Sequence, residues 1–199
     1  MLLVLAAAAQ EQKVTGLDKL HDGLPDKEFT GKSVDTSFVA GNGERVLRQE
    51  IVVPATLEEV WSAVSTSDGL RDWVAPTAEV ELKTGGHWYT NYSPGSKIGD
   101  PGTIYNSVLS YVPMKMIAMK IGIAPPIFPK GPSDAGTLFA VLTLEDLGNR
   151  QVRVSEHMVG FGPGEDWDKV YRFFETGNAY TLGQLLKRFE VGPRRWVAK

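Results

Sequence analysis

The sequence predicts an α+β domain in which a curved antiparallel β-sheet wraps around a long C-terminal α-helix, with two short helices after the first long strand. Three observations lead there. Residues 165–189 carry an apolar stripe at helical spacing, Trp167, Val170, Tyr171 and Phe174 followed by Leu182, Leu185, Leu186 and Phe189, the pattern of an amphipathic helix covering an apolar surface. Residues 78–161 switch to alternation and are punctuated by Gly85-Gly86, Val112-Pro113 and Leu147-Gly148-Asn149, as expected of an antiparallel meander. Upstream, Thr56 has Glu59 three residues on, with Leu57, Val60, Trp61 and Val64 following at helical spacing; this is a capping box opening a short amphipathic helix.

The elements follow in order. Residues 37–40 and 45–53 flank Gly41-Asn42-Gly43, a loop suited to closing a β-hairpin. Pro54 ends the second strand. After the capped helix, Ser67 is placed to cap a second one bearing Leu70, Trp73 and Val74 and ended by Pro76. The meander is predicted as strands at 78–83, 86–92, 103–112, 114–121, 137–146 and 151–161. Two longer loops rich in glycine and proline, 93–102 and 124–136, suit the rim of a pocket.

The long helix is interrupted at Gly177 and Asn178, on the same face as Phe174, Leu182, Leu185 and Phe189. A helix that only covered a sheet would fill this turn with Leu or Ile, because each missing buried methylene costs roughly 1 kcal/mol, and mid-helix glycine costs about 0.5–1 kcal/mol relative to Ala. The gap predicts an internal cavity for a small hydrophobic or amphipathic molecule.

Composition bounds the function. The 199 residues are 42% hydrophobic and 23% charged, enough for one globular domain. The 24 acidic and 21 basic side chains give a net charge of −3, and the basic cluster of Lys187, Arg188, Arg194, Arg195 and Lys199 suits a solvated helix end, so no nucleic-acid partner is expected. With no cysteine, disulfides, thiolate metal sites and a cysteine nucleophile are excluded. Residues 1–9 are apolar and end in Ala6-Ala7-Ala8-Ala9-Gln10, which resembles the end of a secretory signal; a membrane span needs about 20 apolar residues, so no integral segment is expected. The missing basic start of such a signal leaves the true N-terminus upstream of Met1 open. The organisation read from the chain is a signal remnant at 1–10, a polar extension at 11–36, the folded domain at 37–191 and a basic tail at 192–199, with a periplasmic or secreted location; without a signal the location is cytoplasmic.

Candidate chemistry is sparse. His157 and Glu156 are neighbours on one strand, so their side chains point to opposite faces and only one can enter the cavity; a cavity-facing His157 would be placed as a general base. Histidines at 21, 87 and 157 lack HxxxH or HxH spacing, so no metal is expected. No GxSxG elbow, P-loop or GxGxxG fingerprint is present, and no cofactor is expected. Aromatic side chains with polar tips are common in small-molecule pockets. The ligand-binding set is therefore Trp88, Tyr92, Tyr105, Phe139, His157, Tyr171, Phe174, Asn178 and Thr181, the last three of the helix grouped around its break.

Several motifs carry a family resemblance: Val53-Pro54-Ala55 before Glu59-Val60-Trp61, Leu70 to Trp73, Thr84-Gly85-Gly86, Gly102 with Pro113, Gly136-Thr137, and His157 shortly before Gly160-Phe161. Over residues 45–189 the chain resembles the SRPBCC superfamily, which includes START domains, polyketide cyclases and the birch-pollen allergen, and within it the bacterial homologues of the activator of the heat-shock-protein-90 ATPase. The resemblance implies a helix-grip fold. It also implies three roles: ligand binding in a cavity, a polyketide cyclase or dehydratase using His157 as base, or a chaperone-activator-like interaction module. Many relatives have Gly-Trp in the last helix where this chain has Gly177-Asn178, which implies a larger or more polar pocket here.

Overall fold

The computed structural model describes residues 27–122 and 135–196. The signal-like run, the first part of the polar extension, nearly all of the proline-rich loop at 124–136 and the last three residues of the basic tail lie outside the described residues. In chain order the elements are α1 (Lys27–Thr30), β1 (Val34–Asp35), β2 (Phe38–Val39), β3 (Arg45–Val53), α2 (Leu57–Ser65), α3 (Ser67–Arg71), β4 (Thr77–Glu81), β5 (His87–Asn91), β6 (Ile104–Val112), β7 (Met116–Lys120), β8 (Phe139–Gly148), β9 (Gln151–Phe161) and α4 (Glu165–Glu190), with one 3-10 turn at Ala135–Thr137.

Among the described residues nine strands form one antiparallel sheet in the order β1-β3-β9-β8-β7-β6-β5-β4, with β2 also on β3. The first long strand pairs with the last one, so the meander runs away from β3 and returns to it. The sheet stays open at β4. Its inner face and α4 enclose two apolar clusters: a large one around Val60, Leu70, Ile117, Val152, Leu182 and Leu185, and a smaller one around Leu47, Leu138, Met158, Trp167 and Val170. They meet opposite ends of α4.

Local chemistry explains most of the boundaries. The Thr56 hydroxyl accepts the Glu59 backbone N–H at 3.3 Å while the Glu59 carboxylate accepts that of Thr56 at 2.7 Å, the capping box expected from the sequence. At α3 the structure corrects the expected cap: Thr66, with extended backbone, accepts the Gly69 N–H at 3.0 Å, and Ser67 is already helical and accepts the Val80 N–H instead. Trp73 and Val74 lie beyond α3 in the following turn, both buried. β7 starts two residues later than predicted because Met114 takes a positive φ of 62° in the turn.

The end of α2 is closed by side chains. Its carbonyls at Trp61, Ser62, Ala63 and Val64 accept, in order, the Ser65 hydroxyl, the Thr66 hydroxyl, the Trp73 indole N–H and the Trp88 indole N–H, at 2.6–3.1 Å. Ser62, Ala63 and Val64 are among the last four carbonyls of α2, which otherwise lack partners in a helix.

The described part of the polar extension is packed. α1 lies across α4, with Phe29 against the large cluster, and β1 pairs with β3 through Val34 opposite Glu50. A Cβ on Gly183 would come within 2.8–3.0 Å of the Phe29 and Thr30 backbone, so glycine is what admits α1. The tail is also docked: the Trp196 indole donates to the Arg71 carbonyl at 2.6 Å and the Arg194 N–H to that of Asp72 at 2.7 Å. Gly183→Val is expected to push α1 off the helix, lowering stability by about 1–3 kcal/mol in urea denaturation and exposing Lys32 to trypsin; unchanged stability with unchanged cleavage would refute this reading of the contact.

Candidate functional site

Between the two apolar clusters, beneath the middle of α4, lies a partly open cavity of about 140 Å³. The helix contributes Phe173, Phe174, Gly177, Asn178 and Thr181; the sheet contributes Trp88, Thr90, Ile104, Asn106, Met119, Ala140 and Glu156; Val74, Tyr92, Ile121 and Gly122 complete it from connecting segments. The break in the helical stripe thus coincides with the cavity. Gly177 removes a side chain, and the buried Asn178 turns its amide N–H onto the Met158 sulfur at 3.2 Å. The Thr181 hydroxyl donates back to the Gly177 carbonyl at 2.9 Å.

The sheet side is built by strand parity. On β9 the side chains of Val152, Val154, Glu156 and Met158 point inward, the three apolar ones being fully buried. Those of Arg153, Ser155 and His157 point outward. On β6, Asn106 accepts the Gly122 N–H at 2.9 Å, which fixes the end of β7. A Cβ on Gly122 would fall 1.7 Å from the Tyr105 carbonyl oxygen, so only glycine allows that approach.

The ionisable groups in this wall are Glu156 and Tyr92. Among the described residues Glu156 makes no hydrogen bond or ion pair, and burial raises its carboxyl from 4.5 to about 7. Tyr92 is pushed up to about 12 by burial first, with the Glu156 carboxyl and Tyr180 adding to the rise, while Thr90 hydrogen-bonds its hydroxyl. At neutral pH the cavity therefore holds a phenol that keeps its proton and a carboxyl that can hold or release one.

Of the nine candidate ligand residues, the structure brings five together: Trp88, Tyr92, Phe174, Asn178 and Thr181. The other four are elsewhere. His157 is on the outer face of the sheet, its Nδ1 3.2 Å from the Val141 carbonyl and its ring near Arg48 and Glu50, and burial lowers its pKa below the usual histidine range. The parity rule was right and the choice within the pair was not: Glu156 enters the cavity. Tyr105 is 46% exposed and packs edge-on against Tyr89. Phe139 precedes Ala140, whose inward orientation sends Phe139 to the other face. Tyr171 packs on Phe161 under the Arg45 guanidinium at the outer end of α4. Sequence reasoning missed Asn106 and Phe173. Asn106 was readable as a polar residue between Ile104 and Val108 on the inward parity of its strand. No residue of the 93–102 loop reaches the cavity; its flanks, Tyr92 and Ile104, do.

Among the described residues no group of three or more His, Cys, Asp or Glu could hold a metal ion, and no helix is long and apolar enough to cross a membrane.

A curved antiparallel sheet gripping a C-terminal helix over an internal cavity defines a helix-grip domain of the SRPBCC type, a class of ligand-binding and polyketide-cyclase-like domains. Residues 54–190 match the model of the family described as Activator of Hsp90 ATPase homolog 1-like protein, and the chain belongs to that family. Among solved structures, the Aha1 dimer from Colwellia psychrerythraea is similar at 18% identity and a TM-score of 0.58, over 74% of this chain and 97% of that one. CalU16 from Micromonospora echinospora is similar at 15% identity and a TM-score of 0.55, over 82% and 85%. A conserved protein of unknown function from Enterococcus faecalis is similar at 15% identity and a TM-score of 0.58, over 85% and 84%. At these identities the likeness is one of fold. No curated protein sequence matches the chain.

The half-buried carboxyl of Glu156 sets a pH dependence. Because the folded protein keeps the Glu156 proton to a higher pH than the unfolded chain does, its contribution to stability is complete below about pH 4.5 and is lost as pH rises through about 7. The full loss corresponds to about 3 kcal/mol. Glu156→Gln is expected to remove that slope, so that urea denaturation finds the variant no less stable than the parent at pH 5 and clearly more stable at pH 8; parallel pH profiles would show that Glu156 is ionised at no cost.

Proposed function

We propose that the protein binds a small hydrophobic or amphipathic molecule in the cavity beneath α4. The observation that carries this is the hole itself: about 140 Å³ of space with largely apolar walls, at a point where the helix places Gly177 and Asn178 in line with residues that are otherwise large and apolar. An engineered apolar cavity of about 150 Å³ accepts benzene, so a single ring fits the scale. An occupant would cover apolar wall that the partly open cavity leaves unpacked. Trp88, Phe173 and Phe174 supply burial; Tyr92, Asn106, Asn178 and Glu156 supply orientation. The apolar run at residues 1–9 supports export as part of the same proposal, to be tested by cell fractionation.

A catalytic reading is favoured by one observation. Glu156, with a carboxyl titrating near 7, takes the place in the cavity expected of His157 and would act as the proton acceptor or donor of a cyclase- or dehydratase-like reaction, with the protonated Tyr92 hydroxyl polarising a carbonyl oxygen. Outer-face His157 has no part in this.

Native mass spectrometry of the purified protein, followed by organic extraction, is expected to find a co-purifying small molecule. Gly177→Leu, which fills the cavity from the helix side, should release it and weaken binding of toluene at least ten-fold with the circular dichroism spectrum retained, whereas His157→Ala should leave binding unchanged. Equal toluene binding by the parent and Gly177→Leu, or none by either, would turn the assignment toward a surface-mediated interaction role.

A further inference from the structure

A carboxyl without a hydrogen-bond or ion-pair partner among the described residues, facing a largely apolar cavity, is a recognition element. Glu156 sits on the inner face of β9 opposite Gln49 of β3 and Leu142 of β8. Neither supplies a charge, and the Gln49 amide N–H is used on the Glu175 carbonyl at 2.9 Å. From β6 the nearest polar lining group, Asn106, is turned to the Gly122 N–H; from α4, Asn178 is turned to Met158. The titratable group coupled to it is the phenol of Tyr92, pushed up to about 12 and neutral, which also feels Tyr180. No lysine, arginine or histidine lines the cavity among the described residues. Among the described residues the site therefore carries one carboxyl, no lysine, arginine or histidine, and a set of aromatic faces.

We propose, resting on the container reading above, that the cavity is selective for a small hydrophobic amine, its ammonium group held by the Glu156 carboxylate and its ring buried among Trp88, Phe173 and Phe174. A buried carboxylate is costly alone and much less so when paired and hydrogen-bonded, so a cationic occupant restores what the protein leaves out. Aromatic faces attract a cation further. When Glu156 is ionised, the same arrangement disfavours carboxylates and phosphates, which meet it with like charge.

Binding of the cation requires the ionised carboxyl, so the two are linked. Below pH 7 the ligand must displace the Glu156 proton, and its affinity falls as pH falls. With the carboxyl titrating near 7, lowering pH from 8 to 5.5 should weaken an amine about thirty-fold, while a neutral probe is unaffected.

The test is calorimetric titration of the parent and of Glu156→Gln with four probes of one-ring size: toluene, benzyl alcohol, benzylamine and benzoate. The expected result at pH 8 is benzylamine at least ten-fold tighter than toluene, benzoate without measurable binding, and parity of benzylamine with toluene in Glu156→Gln. The parent alone gives an independent reading through the pH dependence of benzylamine, should the variant fail to fold. Toluene binding with no preference for benzylamine, a preference that survives Glu156→Gln, a pH-independent benzylamine affinity, or benzoate binding as tightly as benzylamine would each overturn the amine assignment and leave the container reading standing. Failure of all four probes to bind the parent would overturn both.

Discussion

A helix of 26 residues is about 39 Å long, and where it crosses a curved sheet the two surfaces cannot touch equally everywhere. Here they are packed at the ends. The large apolar cluster closes the C-terminal half of α4 against α2, α3 and the sheet, and the smaller one closes its N-terminal half against β3, β8 and β9. Between them the helix presents Gly177 and Asn178, and nothing from the sheet reaches up to replace the missing volume. Interiors are normally packed as densely as organic crystals, so a gap held open between two well-filled clusters is a property of this interface and organises everything near it.

The sheet divides charge by parity. Arg48, Glu50, Arg153 and Glu145 form ion pairs with one another on the outer face of β3, β8 and β9, and His157 joins that polar surface. The inner face has one ionisable group on the same strand, Glu156. Two residues adjacent in sequence therefore live in opposite electrostatic surroundings: His157 loses basicity through burial but keeps charged neighbours, and Glu156 loses acidity because it has none. Surface ion pairs of the outer kind contribute little to stability, whereas the inner carboxyl is, among the described residues, the one acidic side chain in the cavity wall.

Much of this fold was legible because it is written in periodicities. The long helix, the capping box at Thr56 and Glu59, the glycine-bearing hairpin before β3 and the meander all follow from spacing that side chains impose directly. The break at Gly177 and Asn178 was legible as a cavity for the same reason. Which of Glu156 and His157 faces inward was not, since a strand's parity is set relative to its partners, and a shift of one residue reverses it. Tyr105 and Phe139 fell to the same ambiguity. The packing of α1 was hidden for a different cause: a four-residue helix has too little pattern to read, and the feature that seats it, the bare Cα of Gly183, lies about 150 residues away and is meaningful only once both are in place. Ser67 reads as the cap of α3 in the sequence, and only the extended backbone of Thr66 shows that the cap lies one residue earlier.

Trp88 belongs to two structures at once. Its ring is a wall of the cavity, and its indole N–H is one of the donors that close the C-terminus of α2, on the Val64 carbonyl at 3.1 Å. Turning the ring to make room would strip a helix end of its partner, and an unsatisfied buried carbonyl costs about 1–3 kcal/mol. That side of the chamber is consequently stiff. Any molecule entering there would meet a fixed gauge on that side, and the freer walls are those of Met119 on β7 and the two phenylalanines of α4, whose side chains hold no helix-end carbonyl.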